Sequence, residues 1–158
     1  MIRGIHHPSI TTGDLDRALG FYRDLLGFQE VFSFGWEAGT EMAAMAGKIT
    51  GIPESTARAV VLKAGNAFLE IFEYREPASR RGDDRALSNQ GFSHVCFDSD
   101  DVTADHARLS AAGVVFTSDP MDVGPMRIAY CRDPDGNFVK LQQITDPSSD
   151  LVLNGSGA

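Results

Sequence analysis

Cysteine, basic residues and long apolar runs are scarce in this sequence of 158 residues. Its two cysteines, Cys96 and Cys131, are too few for a disulfide framework and do not form a C-x-x-C metal motif, so we expect reduced thiols. Nowhere do about 18 apolar residues follow one another, as a membrane-spanning helix requires, and residues 1–4 carry no apolar secretory segment. These absences predict a cytoplasmic protein without a membrane partner.

The charge balance excludes a further class of partner. Fourteen basic residues against 22 acidic ones give a formal net charge of −8, which repels the phosphates of nucleic acids and anionic lipid surfaces. A hydrophobic content of 42% is enough to bury one core in a chain of this length. We therefore predict a single domain, spanning residues 1–158, that does not bind nucleic acid.

The first half of the chain has the pattern of one helix among four strands. Asp14 is a candidate N-cap, and the apolar residues after it recur on one helical face. Gly27 follows at the position where a helix commonly ends with a residue in the left-handed conformation. The strands are short runs of β-branched or aromatic residues between turn residues. The predicted order is β-α-β-β-β, with a strand at 5–12, a helix at 15–26 and strands at 28–36, 59–63 and 67–74.

From Gly91 the same order recurs, which indicates a tandem repeat. Asp101 is the candidate cap of the second helix, Gly113 ends it, and the turn D-P-D-G-N at 133–137 precedes the last strand. Each half has too few elements to close around a core, so we expect the halves to pack on each other or on a partner chain. The predicted elements are a strand at 92–97, a helix at 102–112 and strands at 114–117, 127–132 and 138–144.

This repeat predicts an α+β fold made of two tandem β-α-β-β-β modules. The first module covers about residues 3–75 and the second about 91–145, joined by a polar connector at 76–90. The tail at 146–158 has no pattern and is expected to fray. An insertion at 37–56, rich in Ala, Met and Gly, predicts a short helix over 42–46 that acts as a lid.

Two motifs stand at the ends of the repeat. The opening motif is His7-Pro8-Ser9-Ile10, then Asp14-Leu15, then Phe21-Tyr22-Arg23-Asp24-Leu25-Leu26-Gly27-Phe28, and the closing motif is Asp133-Pro134-Asp135-Gly136-Asn137. Over residues 5–144 they resemble the vicinal oxygen chelate superfamily of glyoxalases, bleomycin resistance proteins and extradiol dioxygenases. The resemblance implies that the two modules form a curved mixed sheet around a cavity. It does not imply one reaction, because this fold serves many chemistries.

Strand alternation groups two histidines and a glutamate at matched positions. The repeat aligns His7 with His94, whereas His6 points to the opposite face. Glu70 lies on one face of the last strand of the first half, and Glu73 lies on the other. Two histidines and a carboxylate suit a divalent metal such as zinc, nickel, cobalt, manganese or iron. We predict His7, Glu70 and His94 as its ligands.

Lys140 departs from the pattern of the family. The resemblance implies a fourth ligand, a glutamate, three residues after Asn137, and the repeat aligns that position with Glu70. An ammonium cannot coordinate a metal. In one account, three ligands leave an open site beside which Lys140 and Glu70 are catalytic, with Lys140 as acid, base or enolate-stabilising cation. In a second account Lys140 replaces the metal and pairs with Glu70, and in a third it merely reaches solvent.

The resemblance implies three candidate functions. The first is a metal-dependent lyase or isomerase of the glyoxalase or epimerase type, acting on a small carbonyl-containing metabolite through a stabilised enolate. The alternative is a binding or resistance protein without metal, which sequesters a small aromatic or drug-like ligand in an aromatic groove. In the sequence, Phe32, Phe34 and Trp36 either line a cavity on one strand face or form part of an aromatic core. A ring-cleaving dioxygenase would be expected to need the last-strand carboxylate. In each case we expect a homodimer, because open sheet edges and faces need covering.

Overall fold

The chain forms two units, and their four-stranded sheets have the same strand order. The computed structural model describes residues 1–80 and 86–153, and the units are Met1–Gly82 and Asp83–Ala158. Each unit has a four-stranded mixed sheet, ordered β1-β4-β3-β2 in the first and β5-β8-β7-β6 in the second, in which one outer pair is parallel and the other pairs are antiparallel. The predicted α+β class and tandem repeat are confirmed. The single domain and the cavity stay predictions.

The elements follow the predicted order in both units. No helix among the described residues is long and apolar enough to cross a membrane. The first unit contains β1 (Ser9–Thr12), α1 (Leu15–Leu19), a π-helical segment (Gly20–Leu25), β2 (Gln29–Trp36), α2 (Glu41–Thr50), β3 (Thr56–Ala64) and β4 (Ala67–Glu76). The second contains β5 (His94–Asp98), α3 (Val102–Ala111), β6 (Met121–Val123), β7 (Met126–Arg132) and β8 (Phe138–Ile144).

The helix ends form as the sequence predicts. The side chains of Asp14 and Asp101 each accept a hydrogen bond of 3.0 Å from the backbone N–H three residues further on, which satisfies a donor that the first turn leaves open. Gly27 and Gly113 follow the helices with φ of 78° and 91°, a conformation that other residues rarely adopt. These caps fix where the chain leaves each helix and enters the next strand.

One predicted strand lies in the wrong place. The segment 114–117 makes an isolated bridge, Phe116 to Cys131, and the edge strand β6 forms only later, where Met121 pairs with Ile128. Pro120 lies between the two pairings. Proline has no N–H to donate and restricts the residue before it, so the edge strand is interrupted there.

Each sheet buries one face beneath a helix. In β4, Leu69 and Ile71 are fully buried, and β4 contacts α1; in β8, Val139 is fully buried and Leu141 nearly so, and β8 contacts α3. Alternation along the strand then puts the residue between each pair on the other face. Glu70 in β4 and the residue at 140 in β8 therefore point away from the helix of their own unit.

The insertion forms a longer helix than predicted. Instead of a short helix over 42–46, α2 runs for ten residues, and its Ala43 and Ala46 are buried against Trp36 and Ala57. The indole Nε1 of Trp36 donates a buried hydrogen bond of 3.0 Å to Ser55 Oγ at the far end of the insertion. Small residues on one helix face thus anchor α2 to the sheet, and its role as a lid stays a prediction.

Candidate functional site

The register of the two parallel strand pairs identifies equivalent positions. Ser9 in β1 pairs with Glu70 in β4, and Cys96 in β5 pairs with Lys140 in β8. The two predicted histidine ligands each lie two residues before the paired strand residue, at His7 and His94. The strand register therefore agrees with the repeat alignment, and it puts a carboxylate and an ammonium at the same place in the two sheets.

The first unit brings His7 and Glu70 together. Their atoms Nε2 and Oε2 are 3.5 Å apart, with 39% and 19% of the two side chains exposed. Hydrogen bonding to β4 extends to the residues before β1, since Glu70 N–H donates to Pro8 O at 3.1 Å. This extension holds His7 beside Glu70 on the face away from α1, accessible to a small ligand.

His6 belongs to the same cluster, contrary to the alternation expected from the sequence. Its ring stacks on Phe68, with centroids 5.1 Å apart and planes at 18°, and its Nδ1 lies 2.8 Å from Nδ1 of His7. Phe68 is on the Glu70 face of β4. Both histidines precede β1, where the pleat of a strand no longer separates neighbouring side chains. The feature of the sequence that could have indicated this contact is that the two histidines are adjacent.

The second unit brings His94 and Lys140 together around Tyr130. Lys140 Nζ donates a hydrogen bond of 2.7 Å to Gln142 Oε1 and lies 6.0 Å from the centroid of the Tyr130 ring. The rings of His94 and Tyr130 meet edge to face at 5.3 Å. Burial, and then the charge of Lys140, lower the pKa of His94 below its ordinary value. The neutral imidazole is therefore favoured there.

Cys96 also faces this group. The residue is exposed, but the atoms packed around its sulfur exclude water and raise the pKa of the thiol, an effect that the Lys140 charge opposes. A raised pKa leaves less thiolate, which is the reactive form. Neither Cys96 nor its neighbours therefore indicate nucleophilic catalysis by a thiol.

An aromatic row on β2 continues the Glu70 face of the first sheet. Phe32, Phe34 and Trp36 stack in sequence, with centroids 5.5 and 6.3 Å apart, and Phe34 meets Phe72 of β4 edge to face at 5.7 Å. The row is buried at Trp36 and 59% exposed at Phe32. Across the sheet, Phe32 pairs with Val61, which pairs with Glu70. An apolar surface thus borders the carboxylate directly.

The predicted ligands fit a divalent metal in their donor types. Among residues 1–80 and 86–153, no group of three or more His, Cys, Asp or Glu side chains is arranged to hold a metal ion, and the predicted ligands are divided between the units. His7 and Glu70 offer an imidazole nitrogen and a carboxylate oxygen side by side. The lowered pKa of His94 favours the unprotonated ring, the form that a ligand requires. Lys140 does not fit as a ligand.

A pocket of about 350 Å³ in the first unit is separate from these residues. Its charged lining residues are Glu37, Arg58 and Arg75. Arg58 is already engaged, since its guanidinium binds Glu73 and, at 3.1 Å, Asp16 of α1. Trp36 of the aromatic row lines this pocket, but His7, Glu70, His94 and Lys140 do not, so it gives no support to a catalytic role.

Comparison with known proteins found matches along most of the chain. The family model of the Glyoxalase/Bleomycin resistance protein/Dioxygenase superfamily matches residues 4–141. A probable lactoylglutathione lyase of Synechocystis sp. is 29% identical over 141 residues, covering 88% of this chain and 94% of the relative. A 2-epi-5-epi-valiolone epimerase of Actinomyces sp. is 31% identical over 144 residues, covering 87% and 77%. The crystal structure of a glyoxalase family protein from Bacillus cereus superposes with a TM-score of 0.77 at 19% identity, covering 90% of this chain and 94% of the other.

Proposed function

This chain belongs to the Glyoxalase/Bleomycin resistance protein/Dioxygenase superfamily, and we propose that it is a metal-dependent lyase or isomerase acting on a small carbonyl-containing metabolite. Relatives named lyase and epimerase support this reaction class. The observation that carries the proposal is the contact of His7 with Glu70, an imidazole and a carboxylate 3.5 Å apart on the open face of the first sheet.

The proposed metal ligands are His7, Glu70 and His94, the last from the same chain or from a second copy. When bound, a zinc, nickel, cobalt, manganese or iron ion supplies a Lewis acid that polarises carbonyl oxygens. Three protein ligands leave positions open for the substrate, as catalytic sites require. The neutral state of His94, favoured by its lowered pKa, supports its role as a donor.

Glu70 and Lys140 are the proposed catalytic residues. The Glu70 carboxylate, partly shielded from water, removes the proton next to the substrate carbonyl. The Lys140 ammonium then stabilises the negative charge of the enolate, and the Glu70 carboxylic acid returns the proton. Its hydrogen bond to Gln142 and its position near the Tyr130 ring hold the charge on one side of β8. Preorganised charge of this kind often contributes more to catalysis than any other single effect.

The proposed substrate carries an apolar or aromatic group beside its carbonyl. Val61 separates Glu70 from the exposed ring of Phe32, so a group bound over Val61 would lie against Phe32 and Phe34. Burying such a group contributes roughly 25 cal/mol for each Å² of apolar surface. This contact would orient the carbonyl towards His7 and Glu70.

A binding protein without metal is the second candidate. The observation that favours it is Lys140, because a cation stands where the family resemblance implies a fourth metal ligand. The same aromatic row would then hold a flat ligand, with Phe32 exposed to receive it. This candidate predicts ligand binding with no metal and no turnover.

Metal content and proton exchange separate the two functions. We expect protein purified without chelator to contain a divalent metal by elemental analysis, and Glu70→Gln to weaken metal binding by more than about 100-fold, since even an outer-shell change costs about 10–100-fold. The parent should also exchange the proton next to a carbonyl with solvent deuterium, followed by NMR over a panel including lactoylglutathione. Glu76→Gln is the matched control, an exposed glutamate further along the same strand. A parent without metal and without exchange would support the binding protein instead.

The proposed homodimer rests on apolar side chains left exposed in the first unit. Met42, Met45 and Ile49 are each at least half exposed, and they share one side of α2. Contiguous apolar surface of this kind is typical of interfaces. Light scattering should give twice the chain mass of 17.1 kDa, and a monomer at micromolar concentration would exclude the dimer.

A further inference from the structure

His6 is held in place by one neighbour through both its backbone and its ring. Its carbonyl oxygen accepts a hydrogen bond of 3.2 Å from Phe68 N–H, and its imidazole stacks on the Phe68 ring. The rings of His6 and His7 are close to perpendicular, at 84°, with centroids 5.1 Å apart. The ring of His6 is therefore fixed relative to His7 even though both residues are exposed.

Which of the two histidines donates the hydrogen bond between them depends on their tautomers. Their Nδ1 atoms are 2.8 Å apart, so one must donate a hydrogen and the other must accept it. The other ring nitrogen of His7, Nε2, faces Glu70 Oε2. If Nε2 is to bind a metal, its lone pair must be free, and the proton of the neutral ring must then sit on Nδ1. His7 is the donor in that case, and His6 is the acceptor.

We propose that His6 is a positioning residue for His7: its Nδ1 accepts the hydrogen bond from His7 Nδ1–H and so holds His7 in the tautomer whose Nε2 lone pair faces Glu70. This inference rests on the proposed metal-dependent function. Metal-binding histidines commonly donate their second N–H to a carboxylate, a carbonyl or water, and His6 supplies an imidazole acceptor for the same purpose. Without metal the bond can run the other way, with His7 Nε2–H pointing at Glu70.

Two substitutions of His6 separate its hydrogen bond from its stacking. His6→Phe keeps a flat ring against Phe68 but removes the acceptor. His6→Asn removes the ring but keeps an acceptor oxygen close to the position of Nδ1. His106→Phe is the control for the loss of any histidine, because His106 lies on α3 and packs against Phe116 with centroids 4.3 Å apart. Thermal melting of all three variants verifies that each is folded.

The measurement is zinc affinity by competition with a chromophoric chelator. We expect His6→Phe to weaken zinc binding about 10–100-fold and His6→Asn to stay within about threefold of the parent, the range expected for an outer-shell partner and its replacement. The control variant should equal the parent. As a second readout, ¹⁵N NMR of His7 should show the proton on Nδ1 in the zinc-loaded parent.

The outcomes distinguish this inference from the proposed function. If the parent binds zinc and His6→Phe binds it equally well, His6 has no positioning role, while the metal-dependent function stands. If His6→Asn is as weak as His6→Phe, an acceptor in the place of Nδ1 does not restore zinc binding, which also overturns the inference. A parent that binds no zinc would overturn the proposed function and this inference together.

Discussion

The first unit presents a carboxylate where the second presents an ammonium. Glu70 faces Ser9 across a parallel strand pair, and Lys140 faces Cys96 across the equivalent pair. On the other faces both strands are alike, with buried aliphatic residues beneath a helix. The packed faces thus set the fold in both units, and the open faces have diverged in charge without disturbing it. Fold and chemistry are carried by alternate residues of the same strand.

The units differ also in what covers the open face. In the first unit, α2 and its flanking loops join β2 to β3, and α2 packs on Trp36 and Ala57. In the second unit, two residues, Gly124 and Pro125, separate β6 from β7, and β6 has three residues against eight in β2. The aromatic surface therefore belongs to the first unit, and the second contributes polar groups around Lys140.

A large effect is expected from making the two units alike at this position. Lys140→Glu would supply a second carboxylate at the position of Glu70, so we expect metal affinity to rise by about tenfold or more because another anionic oxygen becomes available. Activity should fall at the same time, since the cation is lost. Lys140→Met keeps the length without the charge, and we expect it to retain metal and lose activity. Metal titration and proton-exchange rates measure both effects.

Lys48→Met is the control for removing a lysine elsewhere, because Lys48 is an exposed residue of α2.

The Lys140→Met variant should also raise the pKa of His94 towards its ordinary value. The Lys140 charge is one of the two causes that lower this pKa, and the other cause, burial, remains. An NMR titration of His94 measures this. A parent without metal, together with a clearly less stable Lys140→Met, would instead support the ion pair of Lys140 with Glu70.

Most of the fold could be predicted because it depends on local patterns. The caps at Asp14 and Asp101 and the turn closed by Asp133 require only neighbouring residues; Asp133 Oδ1 accepts hydrogen bonds from Asp135 N–H and Asn137 N–H at 3.0 and 2.8 Å. The edge strand of the second unit was misplaced because its pairing depends on β7, a distant partner, rather than on its own sequence. Its three residues carry too short an alternation to be recognised.

The site was predictable to the extent that the repeat and strand parity define it. Those two patterns predicted His7 and Glu70 as neighbours and set Glu73 on the opposite face, where it binds Arg58. They could not predict His6, whose ring turns towards His7 before the regular strand begins, or Tyr130, whose position against Lys140 depends on the register of β7 with β8. The residue pattern of one strand does not reveal which residues of another strand it contacts.

A medium effect is expected from loosening the insertion that only the first unit has. Ser55→Ala removes the acceptor of the buried Trp36 N–H, and leaving a buried donor unsatisfied costs about 1–3 kcal/mol. Ser118→Ala is the control in the second unit, since its hydroxyl makes an exposed bond to Asp119 O and should cost less than about 0.5 kcal/mol. Urea unfolding measures both. Equal losses would show that the Trp36 bond does not anchor the insertion.

The smallest effect concerns Asp98, which in the second unit occupies the position of Thr11 in the first. Partial burial, and then repulsion from Asp100, raise the pKa of Asp98 above its ordinary value. A folded state that holds the proton more tightly loses stability as the pH rises through the range between the ordinary and the raised pKa. At neutral pH the ionised side chain is therefore destabilising.

Asp98→Asn removes that charge, so we expect it to stabilise the protein at pH 7. The residue is exposed, and solvent screening limits the gain to about 0.5 kcal/mol or less. The gain should vanish near pH 3, below the ordinary pKa of about 3.9, where Asp98 is protonated in the folded and unfolded states alike. Urea unfolding of parent and variant at both pH values measures it. A variant less stable than the parent at pH 7 would mean that the Asp98 carboxylate makes a favourable contact that outweighs its repulsion from Asp100.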